Sequence, residues 1–175
     1  MSAETSRQFT IRRARTSDVA GIIEMSGPLV EKRVLVPKEA VAYYESIQEF
    51  LIAEAHDGAL VGFGALHVMW EDLAEVRTLA TLDSWRGCGV GSALLKGLVE
   101  RAAELGVSRV FCLTFEVDFF AGQGFEIMAE TPSVDPEVYA ELLRSPDEGV
   151  AEFLDLARVK PNTLGNTRML LHLDG

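Results

Sequence analysis

The chain has 175 residues, 48% of them hydrophobic, and a formal net charge of −11. That length and apolar content can build a sizeable core without disulfides or metal, and the acidic balance excludes duplex nucleic acid and anionic lipid as principal partners. No apolar run approaches the roughly 18 residues of a membrane span, and MSAETSRQF lacks an apolar export segment, so a cytoplasmic protein is expected. Its two cysteines, Cys88 and Cys112, are expected as reduced thiols.

Phe9-Thr10-Ile11-Arg12-Arg13-Ala14 alternates and predicts a first strand. Thr16-Ser17-Asp18 then reads as the cap of a helix carrying Val19, Ile22, Ile23 and Met25, which Gly27-Pro28 should end or kink. Leu35-Val36-Pro37-Lys38 leads into a second helix with Val41, Tyr44, Ile47 and Gln48 about a turn apart. Residues 50–55 and 60–69 read as a hairpin around Asp57-Gly58, with Gly62 and Gly64 marking a bulge or a close backbone approach. A third strand, AEVRTLATL, follows from Ala74.

A long helix comes next, with Gly91, Leu94, Leu95, Leu98, Ala102 and Leu105 on one face and Lys96, Glu100, Arg101 and Glu104 on the rest. Residues 109–114 predict another strand, 117–123 a short helix, Gly124-Phe125-Glu126-Ile127 a strand and 136–143 a further helix. Within 145–164, residues 150–156 suit either helix or strand. Pro161-Asn162 and Gly165-Asn166 are turn signals before a last strand at 168–173. No linker or repeat interrupts the sequence, so residues 1–175 are expected to form a single domain. The expected class is α/β, a mixed twisted sheet with helices on both faces.

Between the Ala74 strand and the long helix lies Arg86-Gly87-Cys88-Gly89-Val90-Gly91-Ser92. Glycines there let backbone N–H groups converge at a helix N-terminus, where donors lack partners and the helix dipole favours an anion. A Walker loop needs Gly-Lys-Ser/Thr, yet Ser92-Ala93 follows the last glycine. A dinucleotide fingerprint needs Gly-x-Gly-x-x-Gly, and the spacing here differs. What fits is Arg/Gln-x-x-Gly-x-Gly/Ala, matched by Arg86, Gly89 and Gly91. This strand, loop and helix resemble the acetyl-CoA pyrophosphate loop of the GNAT N-acetyltransferase superfamily. The short helix ending in Gly-Phe is a second landmark of that superfamily.

Further segments narrow the resemblance: LVPKEAV, EFLIAE, GALHVMWEDLAEVRTLA, RVFCLTFEVDFFAGQGF and VKPNTLGNTRMLL. Together they are similar to the acetyltransferase domain of the N-acetylglutamate synthase family, especially its short stand-alone form in arginine biosynthesis. The resemblance implies the GNAT fold and acetyl transfer from acetyl-CoA to the α-amine of glutamate, with glutamine a second acceptor in some members. Longer members carry an arginine-binding amino-acid-kinase domain for which this length leaves no room.

The resemblance implies that backbone groups of Leu79, Ala80 and Thr81 flank the acetyl and pantetheine portion while residues Arg86, Gly87, Cys88, Gly89, Val90, Gly91 and Ser92 hold the pyrophosphate. Proximity supplies much of the rate, and a backbone N–H at Ala80 or Thr81 would polarise the carbonyl. An ammonium must lose a proton before it attacks, so a base is required. Glu75 stands where the family has a carboxylate, with a structural role as the alternative, and Glu116 is the reserve. Phe119-Phe120 replaces the tyrosine acid usual in the superfamily, as in the glutamate synthases.

Two substrate carboxylates want cationic or amide-rich spots. Lys38, Arg77, Thr114, Asn166 and Arg168 are the candidates, each with an ordinary surface or ion-paired role as the alternative. Arg77 shares a strand face with Glu75. His56, His67 and His172 show no ligand spacing, so no metal is expected, and His67 reads as packed or facing the acceptor. A homodimer is expected from base rates alone. Rival readings are another small amine or a protein N-terminus as acceptor, or a non-catalytic acyl-CoA-binding regulator.

Overall fold

The computed structural model describes residues 7–32, 35, 38–128, 134–156 and 166–173. Seven strands form one mixed sheet in the order β1-β2-β3-β4-β5-β7-β6: β1 Phe9–Arg13, β2 Phe50–Ala55, β3 Leu60–Trp70, β4 Leu73–Thr81, β5 Arg109–Thr114, β6 Glu126–Ile127 and β7 Thr167–His172. The helices are α1 Val19–Glu31, α2 Ala40–Glu45, α3 Val90–Glu104, α4 Val117–Gly122, α5 Pro136–Leu142 and α6 Glu148–Phe153. The expected α/β class holds. The chain divides into two compact units, one of residues 1–66 with 78–101 and one of 67–77 with 102–175.

In the first unit β2 pairs antiparallel with both β1 and β3, and the register shifts at Ala53/Glu54 opposite Gly62 and Leu60. The hairpin turn is as read, with Gly58 at φ 88 and Ala59 N–H donating to Asp57 Oδ1 at 3.0 Å. Alternation along β3 separates two faces. Phe63 and Ala65 join Val19, Ile22, Tyr43, Phe50 and Ile52 in one apolar cluster under α1 and α2. Gly62 and Gly64 point the other way, toward α3: a Cβ on Gly62 would lie 2.7 Å from Val90 Cγ1, and one on Gly64 would lie 3.0 Å from Leu98 Cδ1. Helices therefore cover both faces of this unit, and bare backbone on β3 is what lets α3 approach.

Several local readings are corrected by long-range partners. Thr16-Ser17-Asp18 forms a 3-10 turn, and no side chain caps α1. Asp18 is committed elsewhere, accepting from Arg15 N–H at 2.7 Å and from both Arg12 terminal nitrogens at 2.8 Å. Pro28 does not end α1, which runs on to Glu31. A proline forfeits one internal bond, and burial of Met25 and Leu29 against the cluster outweighs it here. On α2 the buried side is Tyr43, followed by Ile47 in a 3-10 turn, whereas Val41 and Tyr44 are exposed. Leu105 falls beyond α3 in the turn closed by Gly106 (φ 88) and is exposed. Ile23 also faces outward.

In the second unit β4 pairs parallel with β5, and β7 pairs antiparallel with β5 and β6. Leu73, Phe111, Leu142, Val150, Phe153 and Leu154 form its core. The ambiguous stretch resolves as a helix: Asp147 Oδ1 accepts from Val150 N–H at 3.2 Å and starts α6. The turn signals Pro161-Asn162 and Gly165, like Val36 and Pro37, lie outside the described residues.

Gly62→Val should cost about 1–3 kcal/mol, the usual range for overpacking, because the β-branched side chain would meet Val90, Leu94 and the Ala80 carbonyl. Urea unfolding measures it, and an unchanged midpoint would contradict close packing of α3 on β3.

Candidate active site

The loop of the first unit begins where β4 ends. Leu82 N–H donates to Val61 O at 2.8 Å, and a 3-10 turn, Asp83–Trp85, carries the chain toward α3. Trp85 is pinned by an edge contact with Phe9 and by the Arg7 guanidinium over its ring. Gly87 and Gly89 follow at φ 79 and 85, and a Cβ on either would meet nothing within 4 Å. The glycines thus serve backbone conformation and leave open space before the helix. The Cys88 N–H closes the turn on Trp85 O at 3.3 Å, and Ala93 N–H to Gly89 O at 3.0 Å opens the helical ladder.

Val90, which opens α3, is buried, Gly91 is half-buried and Ser92 is exposed in its first turn. Arg86 is exposed, 3.2 Å from Asp83 Oδ1, and Cys88 Sγ lies 3.9 Å from Arg86 O. Positive-φ glycines, open space and a 15-residue helix N-terminus fit a pyrophosphate. Upstream, Ala80 is buried, with Leu79 and Thr81 half-buried. Thr78 takes φ 57, a conformation that β-branched residues rarely adopt, and its hydroxyl accepts from exposed Lys38 Nζ at 3.0 Å. Lys38 Nζ also lies 5.6 Å from the centre of the Tyr43 ring.

The second unit holds the titratable cluster. The β4–β5 pairing ends at Glu75↔Phe111 although both strands run further. Glu75 is only 6% exposed on a strand of Leu, Ala and Val, so its charge needs a partner inside. Arg77, two residues on and on the same face, donates from Nε to Glu75 Oε1 at 2.5 Å. Its terminal nitrogens fork onto Asp147, Nη1 to Oδ2 at 2.9 Å and Nη2 to Oδ1 at 2.8 Å. His67 Nε2 lies 3.6 Å from Asp147 Oδ2.

Burial pushes the Glu75 carboxyl above its ordinary range, with Asp147 adding to the rise and Arg77 opposing it. Burial also acts against the Asp147 charge, but the hydrogen bond and charge of Arg77 outweigh it and hold that carboxyl low. Burial and the nearby Glu75 push the Cys112 thiol up.

The remaining candidates are dispersed. Glu116 is exposed at the start of α4, and its N–H donates to the hydroxyl of buried Thr114 at 2.8 Å. Phe119 and Phe120 stack edge-on with ring centres 5.2 Å apart, so no phenol stands there. Arg168 is half-buried, donating to Phe153 O at 3.3 Å. Among the described residues Asn166 Oδ1 is buried with no hydrogen-bond partner. Sequence reasoning joined Glu75 to Arg77 but missed Asp147 and Gly149. The usable signal was Ser145-x-Asp147, a capping pattern ahead of Val150. Among the described residues no group of three His, Cys, Asp or Glu could hold a metal, and no helix is long and apolar enough to cross a membrane.

A mixed sheet with a strand, a glycine loop and a long helix accords with the acyl-CoA-dependent acyltransferases. The sequence profile of the acetyltransferase (GNAT) family matches residues 28–125. An amino-acid acetyltransferase of Mycobacterium tuberculosis is 51% identical over 165 residues, which are 93% of this chain and 94% of that relative. One from Shewanella oneidensis is 35% identical over 67% of this chain but only 26% of its own length. The crystal structure of Rv2747 from Mycobacterium tuberculosis, in complex with CoA, superposes with a TM-score of 0.87 at 49% identity, covering 94% of this chain and 99% of that one. N-acetylglutamate synthase from Neisseria gonorrhoeae, complexed with coenzyme A and N-acetyl-glutamate, gives 0.76 at 25% identity over 96% of this chain and 36% of its own. The chain belongs to the acetyltransferase (GNAT) family.

Because the Asp147 carboxyl is depressed in the folded state, its stabilisation is complete above the unfolded carboxylate range and is lost as pH falls through the folded value. In a Glu75→Gln background, where the neighbouring carboxyl cannot titrate, the stability lost by Asp147→Asn should therefore shrink as pH falls from about 5 toward about 2. Urea midpoints at several pH values check it; a constant difference would contradict the ion pair.

Proposed function

We propose that this acetyltransferase transfers acetyl from acetyl-CoA to the α-amine of L-glutamate, with L-glutamine as a second acceptor. On this reading it performs the first step of arginine biosynthesis in the cytoplasm, as a homodimer and as a single domain spanning residues 1–175. The observation that carries the reading is the likeness to an amino-acid acetyltransferase across nearly the whole of both chains. The longer synthase crystallised with N-acetyl-glutamate supports glutamate as acceptor.

Bound acetyl-CoA supplies the acetyl group as an activated thioester. Residues Arg86 to Ser92 bind its pyrophosphate through backbone N–H groups and the dipole of α3. Backbone groups of Leu79, Ala80 and Thr81 line the pantetheine and acetyl portion, and an N–H at Ala80 or Thr81 polarises the carbonyl. Glu75 accepts the proton of the acceptor ammonium; burial raises its proton affinity toward what a base at neutral pH needs. Glu116, exposed at the start of α4, is the second choice for that role. Lys38, Arg77, Thr114, Asn166 and Arg168 are assigned to the acceptor, with Arg77 acting through its ion pairs. Transfer is direct, since Cys112 is buried with a raised thiol and makes a poor acyl carrier.

The test is thiol release from acetyl-CoA with glutamate, glutamine and a simple alkylamine, on wild type and Gly91→Glu. Glutamate and glutamine should be used. The alkylamine should be poorer by on the order of 10³-fold or more, because it leaves the charged donors of the site unpaired. Gly91→Glu should be inactive with every acceptor, and acetyl-CoA should no longer raise its Tm. Equal use of the alkylamine would contradict an amino-acid acceptor, and an undiminished Tm shift in folded Gly91→Glu would contradict the loop assignment.

A further inference from the structure

Within the second unit, α6 starts directly against the buried carboxylate of Glu75. A Cβ on Gly149 would lie 2.5 Å from Glu75 Oε1 and 2.6 Å from both Glu75 Oε2 and Arg77 Nη2. Only a residue without a side chain fits there without moving the pair. Two residues earlier in the turn, Asp147 does more than a helix cap requires. A cap uses one oxygen for one backbone donor. Here Oδ1 takes the Val150 N–H, and the two oxygens together also take the terminal nitrogens of Arg77. The Asp147 backbone is itself fixed by its N–H to Ser145 Oγ at 3.1 Å.

A bidentate carboxylate fixes the plane of a guanidinium. With both terminal nitrogens occupied, Arg77 reaches Glu75 through Nε alone, and only at Oε1. Were Asp147 absent, the same fork could close on both oxygens of Glu75.

We propose that Asp147 is a positioning residue for the acetyl transfer: it holds the Arg77 fork away from Glu75, so that Oε2 remains available to the acceptor ammonium, while Gly149 keeps the space this arrangement needs. The inference rests on the reading of Glu75 as the base. In the step it serves, an N–H bond of the ammonium breaks, its electron pair stays on nitrogen for attack on the thioester carbonyl, and an O–H bond forms at Oε2. The charged and titratable groups that act on this carboxylate are Arg77 on β4, His67 on β3, Cys112 on β5, and Asp147 and Glu152 at α6, while Glu148, Asp155 and Arg168 act on Glu152 in turn.

The test is the pH profile of kcat, with KM values, for wild type, Asp147→Asn, Gly149→Ala, Glu75→Gln and Asp135→Ala. Asp135 is a comparison cap, whose side chain accepts the Glu137 N–H of α5. Asp147→Asn retains a cap acceptor but loses the fork. Its kcat should fall about tenfold or more, with the acetyl-CoA KM within about twofold, and its acidic limb should move to lower pH. That direction follows because losing the Asp147 charge and gaining more of Arg77 both stabilise charged Glu75.

Gly149→Ala improves helix propensity but sets a methyl against the Glu75–Arg77 pair, so a comparable loss of kcat is expected, with the acetyl-CoA KM again within about twofold. Asp135→Ala should lower Tm and leave the profile alone. Wild-type kcat and acidic limb in Gly149→Ala or Asp147→Asn, beside a dead Glu75→Gln, would overturn the positioning role. Should Asp147→Asn not fold, Gly149→Ala decides by the same criterion. An active Glu75→Gln with an intact acidic limb would instead overturn the base reading and this inference with it.

Discussion

Glu75 sits inside a strand whose neighbours Leu73, Ala74 and Val76 are all buried, and a charge there must be answered from within the fold. Desolvating a carboxylate costs several kcal/mol, and one guanidinium contact does not fully offset it. The answer is a chain of charges: Glu75 to Arg77, Arg77 to Asp147, with His67 at its edge. Each link then dictates structure nearby. Asp147 must stand where α6 begins, and Gly149 must be bare. The cluster Phe111, Val150, Phe153 and Leu154 holds α6 in the unit that carries the pair. Removing one charge from such a chain leaves another buried without its partner, which is far more costly than never having had the pair.

The loop obeys a different constraint. Its geometry is local: two positive-φ glycines, a closed 3-10 turn and the first turn of α3. Its position, however, depends on α3 lying close to β3, and that depends on Gly62, Gly64 and Gly97 having no side chain; a Cβ on Gly97 would lie 2.9 Å from Leu51 Cδ1. On the proposed reading, donor binding rests on close backbone packing, and proton transfer on buried electrostatics.

What was legible in the sequence follows the same division. Strands, hairpin and α3 were readable because alternation and helical spacing are local signals, and the loop because its glycines are adjacent. The facing of α2 was not, since Tyr43 rather than Tyr44 meets Phe50 and Phe63 only once the sheet exists. Pro28 does not end α1 for a related reason, because tertiary burial overrode a local breaker. Of the site, Glu75 and Arg77 share a face by period-two alternation and could be paired on paper. Asp147 could not, because it is 70 residues from Arg77, and no local pattern announces so distant a partner. The same holds for Lys38 and Thr78, 40 residues apart.

At the centre stands a buried Glu75 whose proton affinity is raised by its surroundings while Arg77 holds one oxygen. The most direct measurement is a carbon-13 NMR titration of the side-chain carboxyls in glutamate-labelled protein, with the Glu75 signal assigned by its loss in Glu75→Gln. Glu75 should titrate above the ordinary glutamate value of about 4.3. A Glu75 that titrates at or below that value would show Arg77 dominating burial, and would contradict its assignment as the proton acceptor.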